Sequence, residues 1–181
     1  MYKKVFLKTD YAKLLNATYT ESRHCLSPNE LNEFEATRKK FGLASLPKTY
    51  IPENTTIYQR FWKHDELEFD FDKIGKDLKM EVITISTIKQ PPGNIIPLHV
   101  DSYYQTKKEF PNSKKTLVRA NIYLQDWQWG HFIQYENEVK SHWQQGEGIM
   151  SDDQVLHLSC NAGLTDKFTM QVSGFLRKWW N

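Results

Sequence analysis

The sequence predicts a mostly β fold, a β-sandwich or jelly roll braced by helices at its N-terminal end. Three observations predict it. From Met80 onward the chain breaks into short runs of alternating apolar and polar residues, set off by Pro, Gly and Asn turn signals. Before Met80 the apolar residues recur at helical spacing instead. Many short strands at close intervals after a helical segment are the pattern of a closed or doubled sheet with helices packed against it.

The elements follow in order. A short helix is expected over Asp10–Asn16. Ser27-Pro28-Asn29-Glu30 opens a longer one, with Ser27 as N-cap, Pro28 at N1 and Glu30 at N3 closing a capping box. Leu31, Phe34 and Phe41 continue it, and Gly42 stops it. Ser45 to Thr56, polar and with two prolines, reads as a loop, and Phe71 to Leu78 as another helix. Strands are expected over Glu81–Lys89, bounded by Pro91-Pro92-Gly93, and over Leu117–Leu124. A hairpin turning at Glu136-Asn137 joins His131–Tyr135 to Glu138–Trp143. Further strands fit Gly148–Met150, Val155–Leu158 and Phe168–Phe175. The length suits a single domain over 1–181, with 1–79 a mainly helical support and 80–176 the β core.

Two strands carry polar residues on one face: Arg119, Asn121 and Tyr123 on the first, Lys167, Thr169, Gln171 and Ser173 on the second. Either these faces meet solvent, or they line a polar pocket inside a barrel whose apolar faces pack outward against the helices.

Composition narrows the class. Hydrophobic residues at 39% and charged residues at 25% are those of a soluble globular protein, and 14% aromatic residues supply large rings for the core. A net charge of +2 is too small for a nucleic-acid footprint. No apolar run approaches the roughly 18 residues that span a bilayer. Met1 to Leu15 holds no continuous apolar region, so no secretory signal is expected. Cys25 and Cys160 read as two free thiols of an intracellular protein. Lys107, Lys108, Lys114 and Lys115 form a basic segment, either a solvated face or a substrate lid.

His99-Val100-Asp101 follows a predicted strand, and in extended chain residues i and i+2 point the same way. His157, 56 residues beyond Asp101, can supply a third ligand from a later strand. Two imidazoles and one carboxylate on one side of an ion leave positions open, the donor set of non-haem Fe(II) oxygenases. His24, His64, His131 and His142 lack such context and read as surface or ring-packing residues, His131 near the expected pocket mouth. Lys167, ten residues after His157, and Thr169 share a strand face, a cation and a hydroxyl suited to hold a carboxylate.

With these residues the chain resembles the Fe(II)/2-oxoglutarate-dependent oxygenases of the double-stranded β-helix (jelly-roll, cupin-like) fold. It matches their H-x-D…H triad and the basic residue about ten positions past the distal histidine, with a hydroxyl residue two further on. Gln90-Pro91-Pro92-Gly93…His99-Val100-Asp101 is similar to the approach segment of prolyl-hydroxylase-like members and DNA-repair demethylases, many of which carry tyrosine where Gln90 stands. Trp143-Gln144-Gln145-Gly146-Glu147, leading to His157 and Asn161, looks more like the aspartyl/asparaginyl β-hydroxylase branch.

The resemblance covers about Met80 to Phe175. It implies Fe(II) held by His99, Asp101 and His157, with 2-oxoglutarate as cosubstrate held by Lys167 and Thr169, and O2 as oxidant. Arg119, Asn121, Tyr123 and Gln90 are the candidate lining of the cosubstrate pocket. Most members with this spacing use arginine where Lys167 stands, and lysine brings charge without a bidentate fork. The implied activity is hydroxylation, first of a protein or peptide side chain, alternatively of a free amino acid or small metabolite, with a nucleobase disfavoured by the charge. The same residues are compatible with a jelly-roll binding module that lacks catalysis, and with a cupin-like metalloenzyme that does not use 2-oxoglutarate. Trp179-Trp180 is expected to pack on the barrel or to make a dimer contact.

Overall fold

The computed structural model describes residues 2–24, 26–63 and 71–177. In chain order run β1 (Tyr2–Phe6), α1 (Tyr11–Leu15), β2 (Thr20–His24), α2 (Pro28–Lys40), α3 (Pro52–Thr55), β3 (Thr56–Trp62), α4 (Phe71–Asp77) and β4 (Met80–Gln90). There follow β5 (Ile95–His99), α5 (Tyr104–Glu109), β6 (Leu117–Tyr123), β7 (His131–Tyr135), β8 (Glu138–Lys140), β9 (Glu147–Asp152), β10 (His157–Asn161) and β11 (Lys167–Leu176). They build a seven-stranded sheet, β1-β9-β6-β11-β4-β3-β2, and a four-stranded sheet, β5-β10-β7-β8. Every pairing is antiparallel. This is the jelly roll that the strand pattern predicts.

Alternation decides which face of the large sheet meets the helices. Val118, Ala120, Ile122 and Leu124 are buried together with Met170, Val172 and Ile85 from the neighbouring strands. Leu14 of α1, Phe71 and Ile74 of α4, and Leu78 complete that cluster, so the helices cover the outer face. The period of two then turns the polar set inward. Across paired strands Thr169 stands opposite Tyr123, Gln171 opposite Asn121, Ser173 opposite Arg119 and Lys167 opposite Gln90. These residues lie between the sheets and are buried or half-buried, not solvent-facing. A second apolar cluster of Tyr123, Ile133, Tyr135, Trp143, Ile149 and Val155 fills part of the interior beside them.

Several expectations need correction. No strand is predicted before Met80, yet β1, β2 and β3 all join the large sheet, β1 on β9 and β3 on β4. Ser45–Thr56 is not loop throughout, since α3 and the start of β3 occupy its end. Ser27 caps α2 without a side-chain hydrogen bond, and the Glu30 half of the expected capping box lies outside the described side chains. The hairpin strand β8 stops at Lys140 rather than Trp143. His142 takes a positive φ of 55°, which breaks the strand, and Trp143 turns in to stack on Tyr123. β10 begins at His157 and runs to Asn161, two residues later than expected at its start.

Cys160 is a free thiol. Cys25, His64 and Trp179-Trp180 lie outside the described residues, as does the side chain of His24. Among the described residues no helix is long and apolar enough to cross a membrane.

Candidate metal centre

His99 closes β5 and Asp101 lies two residues on, so one side of an extended segment carries both. His157 opens β10, and the β10–β5 pairing sets it opposite His99. One ligand atom from each of the three lies within 4.8 Å of the others. His99 Nε2 is 4.0 Å from Asp101 Oδ1, and His157 Nε2 is 3.9 Å from Asp101 Oδ2.

Backbone carbonyls fix both rings. His99 Nδ1 lies 2.7 Å from the oxygen of Pro97, and His157 Nδ1 lies 3.0 Å from that of Val155. A carbonyl only accepts, so each Nδ1 carries a proton, and Nε2 is the ring nitrogen on the carboxylate side. Two imidazoles whose Nε2 atoms converge on one carboxylate fit a divalent ion of the non-haem Fe(II) kind.

The surroundings hold this set in place. Arg119 donates from Nη1 to Asp101 Oδ1 and from Nε to Ser173 Oγ at 2.9 Å, while its guanidinium lies 5.0 Å from the ring centroid of Tyr103. Tyr135 stacks on His157 with centroids 5.5 Å apart, and its hydroxyl accepts from Asn121 Nδ2 at 3.1 Å. Phe34 of α2 meets the His99 ring edge-on, centroids 5.4 Å apart.

Deeper between the sheets, Lys167 is buried. Its ammonium donates to the backbone oxygens of Phe132 and Cys160, both at 3.0 Å, and to Ser159 Oγ at 2.6 Å. Burial lowers its pKa to about 7. Ser159 passes its own hydrogen to Gln90 Oε1, and Gln90 Nε2 reaches Asn94 Oδ1 at 3.3 Å. Asn161 closes this end, donating to the oxygens of Gln90 and Thr165 at 2.8 Å. Thr169 and Tyr123 stand next on the inner face. Among the described residues the buried Tyr123 hydroxyl has no hydrogen-bond partner, its ring lies 4.1 Å from that of Trp143, and burial pushes its pKa up.

The predicted site residues therefore share one interior: His99, Asp101, His157 and Arg119 at one end, Lys167 and Gln90 at the other, Asn121, Tyr123 and Thr169 between. His131 does not sit near the triad. It opens β7 at the Lys167 end, buried, with Nε2 3.0 Å from the oxygen of Thr165. Of the basic segment, Lys107 pairs with Asp153 at 2.9 Å and Lys115 with Glu81 at 2.6 Å, at the surface. Sequence reasoning missed Ser159 and Tyr135. The period-2 rule applied from His157 finds Ser159, whereas Tyr135 becomes visible only through the β7–β10 register.

Neither a family model nor a curated protein sequence matches the chain. Solved structures do. The crystal structure of a prolyl-4-hydroxylase from Pseudomonas putida has a TM-score of 0.50 at 15% identity, covering 92% of this chain and 97% of that one. The non-haem α-ketoglutarate-dependent carbocyclase SnoK from nogalamycin biosynthesis has a TM-score of 0.53 at 10% identity, covering 94% and 84%. The epimerase SnoN from the same biosynthesis has a TM-score of 0.50 at 12% identity, covering 92% and 79%. The chain shares the fold of these 2-oxoglutarate-dependent non-haem enzymes and of the hydroxylase, and the resemblance read from its motifs holds at the level of fold.

Proposed function

We propose that the chain is an Fe(II)/2-oxoglutarate-dependent oxygenase that hydroxylates a protein or peptide side chain, of the prolyl or aspartyl/asparaginyl kind. One observation carries this reading: a two-histidine, one-carboxylate cluster and a buried lysine occupy the same polar interior, with the Tyr123 hydroxyl, which has no hydrogen-bond partner among the described residues, on the strand next to the lysine's. His99, Asp101 and His157 would hold the iron. Bound together, Fe(II), 2-oxoglutarate and O2 supply oxidation of a substrate C–H bond to an alcohol, coupled to conversion of 2-oxoglutarate to succinate and CO2.

The chain's own residues bind and orient. Lys167 has a protein acceptor on each of its three N–H groups, so a carboxylate arriving there takes the place of Ser159 Oγ, which keeps Gln90 as its other partner. Tyr123 offers its hydroxyl, and Thr169, opposite it on β11, a second one. The rings of Tyr135 and Trp143 with Ile133, Ile149 and Val155 keep water from that part of the interior.

The likeness to SnoK and SnoN, enzymes of nogalamycin biosynthesis, favours a second reading in which the substrate is a free amino acid or other small molecule. Succinate formation by the Fe(II)-loaded protein, assayed with proline-, aspartate- and asparagine-containing peptides beside the free amino acids, separates the two. Turnover confined to peptides supports the first reading and turnover confined to free amino acids the second. Undiminished turnover in Asp101→Ala contradicts both.

A further inference from the structure

The inward face of α2 carries a cation where a core residue is expected. Leu31, Phe34 and Arg38 recur at i, i+3 and i+7, the spacing of one buried stripe, and at about 100° per residue Arg38 lies about 40° around the helix from Phe34. Phe34 is 4% exposed and meets His99, while Thr37, beside them, is 8% exposed. Arg38 stands one turn, about 6 Å, further along the same face. Its side chain is half-buried, and its Nε is buried with no hydrogen-bond partner among the described residues.

α2 packs on β5, which ends in His99, and touches the triad through Phe34. Two residues past Arg38, Lys40 donates to Gln154 at 3.0 Å, and the chain reaches His157 three residues later. The stretch from Phe34 to Lys40 thus extends from one histidine of the triad to the segment leading into the other. Arg119, the arginine that contacts Asp101, is occupied by Asp101 and Ser173. A buried donor left unsatisfied is costly, and a planar guanidinium in an inward position matches a carboxylate or phosphate in geometry and charge.

We propose that Arg38 is a substrate-binding residue that anchors an anionic group of the substrate, a carboxylate or a phosphate, beside the metal centre. This deepens the proposed function and rests on it. It narrows the substrate to a molecule whose reacting carbon lies a short distance from an anionic group, as in an acidic side chain, a free amino acid or a phosphorylated metabolite.

The test uses the full chain and two probes, sodium acetate and inorganic phosphate. The Nε–Hε resonance of Arg38 is assigned in a nitrogen-15 spectrum by its loss in Arg38→Lys, whose remaining spectrum reports an intact fold. The inference expects that resonance to shift saturably with one probe, several-fold more than that of Arg60, which stacks on Trp62. A larger response to acetate assigns a carboxylate, and a larger response to phosphate a phosphoryl group. No saturable shift with either probe would overturn the inference. In a second arm Co(II), followed by its visible absorption, is bound at the triad, and the paramagnetic ion should displace the Arg38 signal. Co(II) bound with that signal unmoved overturns the role of Arg38 and leaves the metal centre standing. Failure of Co(II) to bind overturns the metal-centre reading on which the inference rests.

Discussion

Arg119 donates to Oδ1 of Asp101, while Oδ2 of the same carboxylate is the oxygen nearer His157 Nε2, at 3.9 Å. The arginine therefore fixes the orientation of the carboxylate, with Oδ1 4.0 Å from His99 Nε2 and Oδ2 toward His157, and Ser173 and Tyr103 hold the arginine in turn. Removing an outer partner of a metal ligand costs about 10- to 100-fold in metal affinity. Arg119→Gln should weaken Co(II) binding by that order in a spectroscopic titration, with the wild-type ligand set otherwise intact. Unchanged affinity would mean that Asp101 is oriented without Arg119.

Lys167 makes stability depend on pH. Its pKa is about 7 when folded, below the ordinary lysine value near 10.5 that it regains on unfolding. Between those values the unfolded chain binds more protons, so this residue makes the protein more stable as pH rises from about 7 toward 10.5. Urea unfolding of wild type and Lys167→Met across that range should show the wild type gaining on the variant as pH increases. Parallel curves would place the ammonium in a better-solvated site. The same titration predicts that 2-oxoglutarate binding weakens as pH climbs past 7, because a neutral amine does not pair with a carboxylate.

The Tyr123 hydroxyl is buried, with no hydrogen-bond partner among the described residues. Deleting an unsatisfied polar group is nearly neutral or stabilising, so Tyr123→Phe should change unfolding free energy by no more than about 1 kcal/mol. Cosubstrate affinity should nevertheless fall several-fold, measured calorimetrically with 2-oxoglutarate. A variant that loses stability while binding normally would make this tyrosine a packing residue.

Gly146 adopts a φ of +91°, and a Cβ there would collide with the Tyr11 hydroxyl and lie 2.9 Å from the Leu7 oxygen. Gly146→Ala is expected to destabilise by about 1–3 kcal/mol or more from backbone strain alone, with a lowered Tm in calorimetry. An unchanged Tm would show that the turn relaxes freely.

The β core and the triad were legible because both rest on a period of two. β6 alternates cleanly, and His99 and Asp101 are two residues apart on extended chain. The N-terminal strands were not legible. β1 and β2 are five-residue edge strands, too short to show a clear period, and their extended form is fixed by pairing with β9 and β3 far along the chain. In the site, Lys167 and Tyr123 could be picked from their strand faces. The Arg119–Asp101 pair could not, since 18 residues and a helix separate them in sequence. Arg38 carries no signal in the sequence, and its half-buried place beside Phe34 and Thr37 emerges only once α2 is packed on β5.

The central claim is that His99, Asp101 and His157 bind iron while the interior behind them holds 2-oxoglutarate. Anaerobic addition of Fe(II) and 2-oxoglutarate, followed by visible absorption, tests it most directly. The account predicts a metal-to-ligand charge-transfer band in wild-type protein that is absent from folded Asp101→Ala. Folded wild-type protein with no such band would contradict it.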